Sequence, residues 1–124
     1  MHVPKLSRAE LKVMEAFWAH GASSIREIQE KLPGPSAYTT VQTLVYRLET
    51  KGAVRRTKKV GGAHIFEAVV SRNAAQRRLI DDLFDLFGGQ PQPLMSHLVE
   101  TGKVTLEDIE QARKILKRAA KKEC

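Results

Sequence analysis

A mainly α-helical protein with a small β-hairpin is predicted by three features of the sequence. Six segments carry apolar residues at helical spacing, most of them opened by Ser or Thr and closed by Gly or Pro. Residues 54–70 instead hold two strand-length runs joined through a glycine pair. The 124-residue length and a composition of 42% hydrophobic and 28% charged residues suit one globular domain with a small appendage.

The first helix starts at Ser7. The tetrapeptide SRAE sets Glu10 three residues after a serine, the spacing of a reciprocal capping box, and Leu6 and Leu11 stand where a hydrophobic staple would hold them. Leu11, Met14, Phe17 and Trp18 then supply a core face until His20-Gly21 stops the helix. A second box, SIRE at Ser24 to Glu27, opens a short helix with Ile25, Ile28 and Leu32 on one side, and Pro33-Gly34-Pro35 breaks it. The third helix begins near Ser36 or Ala37 and Gly52 is placed to end it. Two short helices, a tight break and a third amphipathic helix make a helix-turn-helix pattern.

After Gly52 the period becomes extended. VRRTKKV and HIFEAVV, joined by Gly61-Gly62-Ala63, predict a hairpin whose first strand is basic. Ser71 caps a fourth helix, in which Leu79, Ile80, Leu83, Phe84 and Phe87 form a broad apolar stripe ending at Gly88-Gly89. A brief helix in LMSHLVETG turns Leu94, Leu98 and Val99 inward, and Thr105 starts a last helix with Ile109, Ala112, Leu116 and Ala119 on one side.

Composition excludes several functions. Cys124 stands alone, so no internal disulfide forms, and His2, His20, His64 and His97 are scattered without metal-binding spacing. No nucleophile is matched with a base and no glycine-rich phosphate loop is present, so neither an enzyme nor a cofactor is expected. No apolar run reaches the roughly 18 residues of a membrane span and the N-terminus lacks a secretory signal, which predicts no membrane insertion and a cytoplasmic location. Lys plus Arg exceed Asp plus Glu by seven, and the excess is uneven: net +5 over residues 1–70 and net +2 over residues 71–124. A basic half joined to a nearly balanced half fits a binder of nucleic acid or another anionic surface with an interaction segment.

The third helix favours nucleic acid. SAYTTVQTLVYRLETKG, residues 36–52, has four threonines and two tyrosines, which are mediocre helix formers. At 100° per residue Val41, Leu44, Val45 and Leu48 share the core face, while Thr39, Gln42, Thr43, Tyr46, Arg47 and Thr50 lie opposite. An ordinary exposed face is rich in Glu, Lys and Gln. This one offers hydroxyls, an amide, a phenol and a guanidinium, which suit phosphates and base edges, and its one carboxylate, Glu49, is near the far end. RRTKK, Arg55 to Lys59, on a hairpin directly after such a helix reads as the wing of a winged helix, with Arg56, Lys58 and Lys59 reaching phosphates; charge protecting an exposed edge strand is the other reading.

LSRAELKVMEAFW, AYTTVQTLVYRLETKG, the basic hairpin and the glycine pair before a terminal amphipathic helix together resemble the penicillinase repressor family, which includes β-lactamase, methicillin-resistance and copper-responsive repressors. The resemblance spans roughly Leu6 to Arg118. It implies a winged helix-turn-helix DNA-binding domain, residues 1–71, and a C-terminal helical dimerisation segment, residues 72–124. The dimer would bind a partly palindromic operator and repress transcription. By the matching motif Tyr38, Thr39, Thr40, Gln42, Thr43 and Arg47 approach DNA from the third helix, with Tyr46 on the same face, and Lys58, Lys59 and His64 from the wing. Arg47 has a second reading as a salt-bridge partner of an acidic residue in the first helix.

The dimer has independent support in Leu79, Ile80, Leu83, Phe84 and Phe87, too much apolar surface for a helix facing water, with Ile109 and Leu116 of the last helix as further interface candidates. Burial of the stripe against the chain's own last helix is the alternative. The chain also departs from the family. Where antibiotic-responsive members are cut at an Asn-Phe bond through a membrane sensor protease, this sequence has His97-Leu98, and Cys124 alone cannot supply the paired cysteines of copper-responsive members. A rival function, a winged-helix protein-interaction module without specific DNA binding, is opposed by the basic wing and the carboxylate-poor third helix.

Overall fold

The computed structural model describes residues 3–123; His2 and Cys124 lie outside them. The elements run α1 (Arg8–His20), β1 (Ser23–Ser24), α2 (Ile25–Lys31), α3 (Tyr38–Thr50), β2 (Val54–Val60), β3 (Ala63–Ala68), α4 (Arg72–Leu86), α5 (Gln92–Glu100) and α6 (Leu106–Glu123). The chain forms two compact units, Met1–Asp82 and Leu83–Cys124. Residues 72–82, grouped with the second segment on sequence, pack within the first unit: Ala75 joins its core, and Arg78 Nη1 donates to the Val3 carbonyl at 2.7 Å.

Both predicted capping boxes close. The Ser7 amide donates to Glu10 Oε1 at 2.7 Å and the Glu10 amide to Ser7 Oγ at 3.2 Å. Ser24 and Glu27 repeat the exchange at 2.9 and 3.2 Å. Each box satisfies donors that a helix start otherwise leaves without partners.

The hairpin is part of a larger sheet. Ser23 and Ser24 pair antiparallel with Phe66 and Ile65, so the expected two-stranded hairpin is a three-stranded sheet in the order β1-β3-β2. A strand of two residues has no periodicity to read, which is why the sequence hides it. The turn is also tighter than expected. Val60 pairs with Ala63, leaving Gly61 and Gly62 alone at φ 57° and 83°, a two-residue turn that demands positive φ at both positions.

The core of the first unit explains how α3 tolerates its composition. Val41, Val45 and Leu48 are fully buried against Val13, Met14, Phe17, Ile25 and Ile28, with Leu44 half-buried beside them. Six Thr and Tyr residues cost roughly 3 kcal/mol in helix propensity relative to alanine. Burying three aliphatic side chains contributes roughly 6 kcal/mol, so packing outweighs propensity. Gly52, at φ 80°, ends the helix as expected: its amide donates to the Glu49 carbonyl and that of Ala53 to the Leu48 carbonyl. Trp18 lies at the core edge, its indole N–H donating to the Val70 carbonyl at 2.8 Å.

One ion pair fixes α3 against α1. Lys51 Nζ reaches Glu10 Oε1 at 2.7 Å and also donates to the Lys5 carbonyl. Glu10 is buried and its Oε2 has no hydrogen-bond partner among the described residues. Burial pushes the Glu10 pKa up, but hydrogen bonds from Lys51 and Ser7 and the Lys51 charge outweigh it and hold the carboxyl below its usual 4.5. A depressed folded-state pKa gives stability that is complete above pH 4.5 and lost as pH falls through the lowered value. Lys51→Met strands the carboxylate and is expected to cost about 3 kcal/mol at pH 7. Without Lys51 only the Ser7 hydrogen bonds oppose burial, so the Glu10 pKa lies higher than in the parent and acidification weakens the variant less than it weakens the parent. Urea melts from pH 7 to about pH 3 should show the gap between them closing below pH 4.5; a constant gap would refute the assignment.

In the second unit Thr105 and Asp108 cap α6 reciprocally, the Thr105 amide donating to Asp108 Oδ2 at 2.8 Å and the Asp108 amide to Thr105 Oγ1 at 3.2 Å. Leu94, Leu98, Val104 and Ile109 are half-buried. Val99, expected inward, is 51% exposed, because one residue beyond Leu98 turns it 100° around α5. Within the second unit Leu83, Phe84 and Phe87 remain exposed, as does Leu116 at 70%.

Candidate nucleic-acid interface

The outer face of α3 is held from both ends. Gln29 of α2 donates its side-chain amide to the Ser36 carbonyl at 2.9 Å, pinning the turn into α3, and the Lys51–Glu10 pair anchors the exit. On the face between, Tyr38, Thr39, Thr40, Thr43, Tyr46, Arg47 and Thr50 are exposed and Gln42 is half-buried.

The hydroxyls explain how threonine is accommodated. Thr43 Oγ1 donates to the Thr39 carbonyl at 2.9 Å and Thr50 Oγ1 to the Tyr46 carbonyl at 3.0 Å. Each spends its proton one turn back along the helix. What remains available outward is a methyl and an oxygen lone pair, short groups that let a helix approach another surface closely. Gln42 Nε2 donates to Tyr46 Oη at 3.2 Å, so the amide and phenol of this face are oriented together.

The charges divide into paired and unpaired sets. Arg47 makes no salt bridge among the described residues; of the acids of α1, Glu10 pairs with Lys51 and Glu15 with Arg72. On β2, Arg55 pairs with Glu67 of β3 and Arg56 Nε with Glu49 of α3 at 2.8 Å. Lys58 and Lys59, at the hairpin tip, are exposed and make no salt bridge among the described residues. The one carboxylate of α3 is therefore neutralised, while the tip cations have no acidic partner among the described residues.

Helix and wing enclose a cleft of ≈ 340 Å³, lined by Tyr38 and Tyr46 of α3, Gly62, Ala63 and His64 of the hairpin, and Ser24 to Arg26 at the start of α2. His64 is half-buried there and stands opposite Lys59 in the register. Arg26, exposed on the rim, is a residue that the sequence reading misses. Its only sequence signal is a position on the outward side of the short SIRE helix.

The other predicted sites lie elsewhere. Leu79 and Ile80 are exposed on α4, Leu83 and Phe87 line an apolar hollow of ≈ 500 Å³ with Pro93, Leu94, His97 and Leu98, Ile109 is half-buried and Leu116 exposed on α6. The His97–Leu98 bond is inside α5, with the His97 carbonyl accepting from the Thr101 amide at 3.0 Å and hydroxyl at 2.7 Å. No cluster of three or more His, Cys, Asp or Glu residues capable of holding a metal occurs among the described residues, and no helix among them is long and apolar enough to cross a membrane.

Comparison with known proteins places this surface in context. The profile of a family described as penicillinase repressor matches residues 6–118. The penicillinase repressor of Bacillus licheniformis is 36% identical over 59 residues, 46% of this chain and 46% of that relative, so the match spans about half of each. Among solved structures, one concerning regulation of DNA binding of Bordetella bronchiseptica BpsR by 6-hydroxynicotinic acid aligns with a TM-score of 0.48 at 14% identity, covering 95% of this chain and 83% of that one. A MarR family protein from Bacillus stearothermophilus aligns with a TM-score of 0.46 at 17% identity, covering 97% and 76%.

Proposed function

The chain belongs to the penicillinase repressor family, and on that premise we propose that it is a dimeric, sequence-specific repressor that reads a partly palindromic operator with α3. The observation that carries this reading is the outer face of α3 beside the wing: short hydroxyl, amide and guanidinium groups with their one carboxylate neutralised, next to Lys58 and Lys59, which have no acidic partner among the described residues. Tyr38, Thr39, Thr40, Gln42, Thr43 and Arg47 enter the major groove, where such groups discriminate base edges and thymine methyls. Lys58 and Lys59, with His64 at the cleft, lie along the flanking phosphates and set position and affinity. A family resemblance supports repression as the outcome, and neither an enzymatic reaction nor a cofactor belongs to it.

The exposed stripe of α4, with Ile109 and Leu116 of α6, supports dimerisation, which doubles the half-sites read. A membrane sensor protease acting on this chain would meet His97-Leu98 within α5 rather than Asn-Phe, so helix unwinding would have to precede any cut there.

Binding of a promoter fragment, followed against salt, tests the reading. Affinity should fall as a power of salt concentration, with a slope of about −0.9 per phosphate contacted, and the fragment should compete better than random DNA. Gln42→Ala or Thr43→Ala should change preference among operator variants by roughly tenfold at the affected position with the salt slope unchanged. If random DNA competes equally, the protein is not a specific repressor; if binding is absent altogether, the interaction-module reading takes its place.

A further inference from the structure

We propose that Arg56 is a positioning residue that braces the reading face of α3, and not a contact to DNA. Sequence alone groups it with the basic wing residues, but the structure sets it apart from Lys58 and Lys59. Its Nε is 2.8 Å from Glu49 Oε2, and its guanidinium carbon lies 5.4 Å from the ring centre of Tyr46 and 5.3 Å from that of Phe66. Those distances are within the reach of a cation over an aromatic face. One side chain of β2 thus touches two residues of α3, one turn apart, and the buried ring opposite it on β3.

The strand is built to hold it there. The register runs from Arg56 opposite Phe66 directly to Lys58 opposite Ile65, so Thr57 is an extra residue, and its hydroxyl donates to the Ile65 carbonyl at 3.3 Å. A bulge bends a strand and re-aims the side chains beyond it. Arg56 therefore ends the part of β2 that is packed on α3, and Lys58 begins the part that projects.

From Tyr46 the effect passes to the reading face, because Tyr46 Oη accepts from Gln42 Nε2 at 3.2 Å. Fixing the ring fixes the phenol, and the phenol orients the amide. Reaching a phosphate would cost Arg56 its partner and leave Glu49 as an unpaired carboxylate beside the DNA backbone. Lysine could keep the charge near Glu49, but it has no planar guanidinium to lie over two rings. The effect on DNA rests on the repressor reading above; the brace itself does not.

Two measurements decide it. In the free wild-type protein, NMR should show an Arg56 Nε proton with cross-relaxation to Tyr46 and Phe66 ring protons; its absence would overturn the brace whatever DNA does. With DNA, Arg56→Lys should reduce the preference for operator over random fragments roughly tenfold while leaving random-DNA affinity unchanged. Arg56→Met should leave the salt slope at the wild-type value, where loss of a phosphate contact would lower it by about 0.9. Full preference in Arg56→Lys together with a reduced slope in Arg56→Met would make Arg56 a direct phosphate contact and end the proposal. A wild type without operator preference would defeat the repressor reading alone, leaving the NMR contacts to judge the brace.

Discussion

A chain carrying Leu83→Glu and Phe87→Glu is expected to sediment as a monomer, keep its helical circular dichroism, and lose operator affinity by roughly 100-fold or more, because a dimer gains its second half-site at high effective concentration. Leu83 on α4 and Phe87, just past its last residue, are i, i+4 neighbours whose backbones are joined by the Phe87 amide donating to the Leu83 carbonyl at 3.3 Å, and they remain 43% and 39% exposed. Ile80 and Leu79, earlier on α4, are 62% and 50% exposed. An apolar stripe this continuous is uncommon on a monomer in water. Each Leu, Ile or Phe taken fully out of water contributes about 2 kcal/mol, so a symmetric contact that uses the stripe twice can outweigh the entropy of association.

The substitutions should spare the first unit, whose core includes none of these residues. Two charges placed on an already exposed face cost the monomer little, but in a dimer they would face two more across the symmetry axis. Sedimentation of an unchanged dimer would move the interface elsewhere. A monomer with undiminished operator affinity would show that pairing of subunits contributes nothing to recognition.

How much of this was legible beforehand depends on whether a feature leaves a local mark. Ser7–Glu10 and Ser24–Glu27 did, since a capping box is a spacing rule, and so did the core face of α3, since helical periodicity selects Val41, Val45 and Leu48. β1 did not, because two residues make no pattern and their pairing with Phe66 and Ile65 is a long-range event. The hairpin's basic character was legible, but the division of its charges was not. In sequence Arg55 and Arg56 belong to the same basic run as Lys58 and Lys59; only the fold brings Glu67 and Glu49 to the former pair. For the same reason the sequence leaves Arg47 two readings, whereas in the fold both acids of α1, Glu10 and Glu15, pair with other cations, Lys51 and Arg72. Thr43 and Thr50 illustrate a further limit, since a composition unfavourable to helices in isolation is compatible with one whose hydroxyls bond its own backbone and whose opposite face is buried.

That division of charge yields the second large effect. Lys58→Ala combined with Lys59→Ala is expected to weaken binding to operator and random DNA alike by roughly 30-fold near 0.15 M salt, and to flatten the salt dependence by about 1.8. Both side chains are exposed at the hairpin tip without a carboxylate partner among the described residues. Their removal therefore breaks no internal ion pair, and the melting temperature should be unaffected. A phosphate contact contributes through counterion release and is indifferent to base sequence, so the ratio of operator to random affinity should stay at the wild-type value. An edge strand that carried its lysines only to prevent strand-to-strand pairing predicts the opposite pattern: unchanged DNA affinity and slope, with increased aggregation. Titrations at three salt concentrations on the two DNA fragments, with light scattering on the free variant, separate these outcomes. If the operator preference fell while the slope held, Lys58 and Lys59 would be reading bases, and the assignment of reading to α3 and of anchoring to the wing would be reversed.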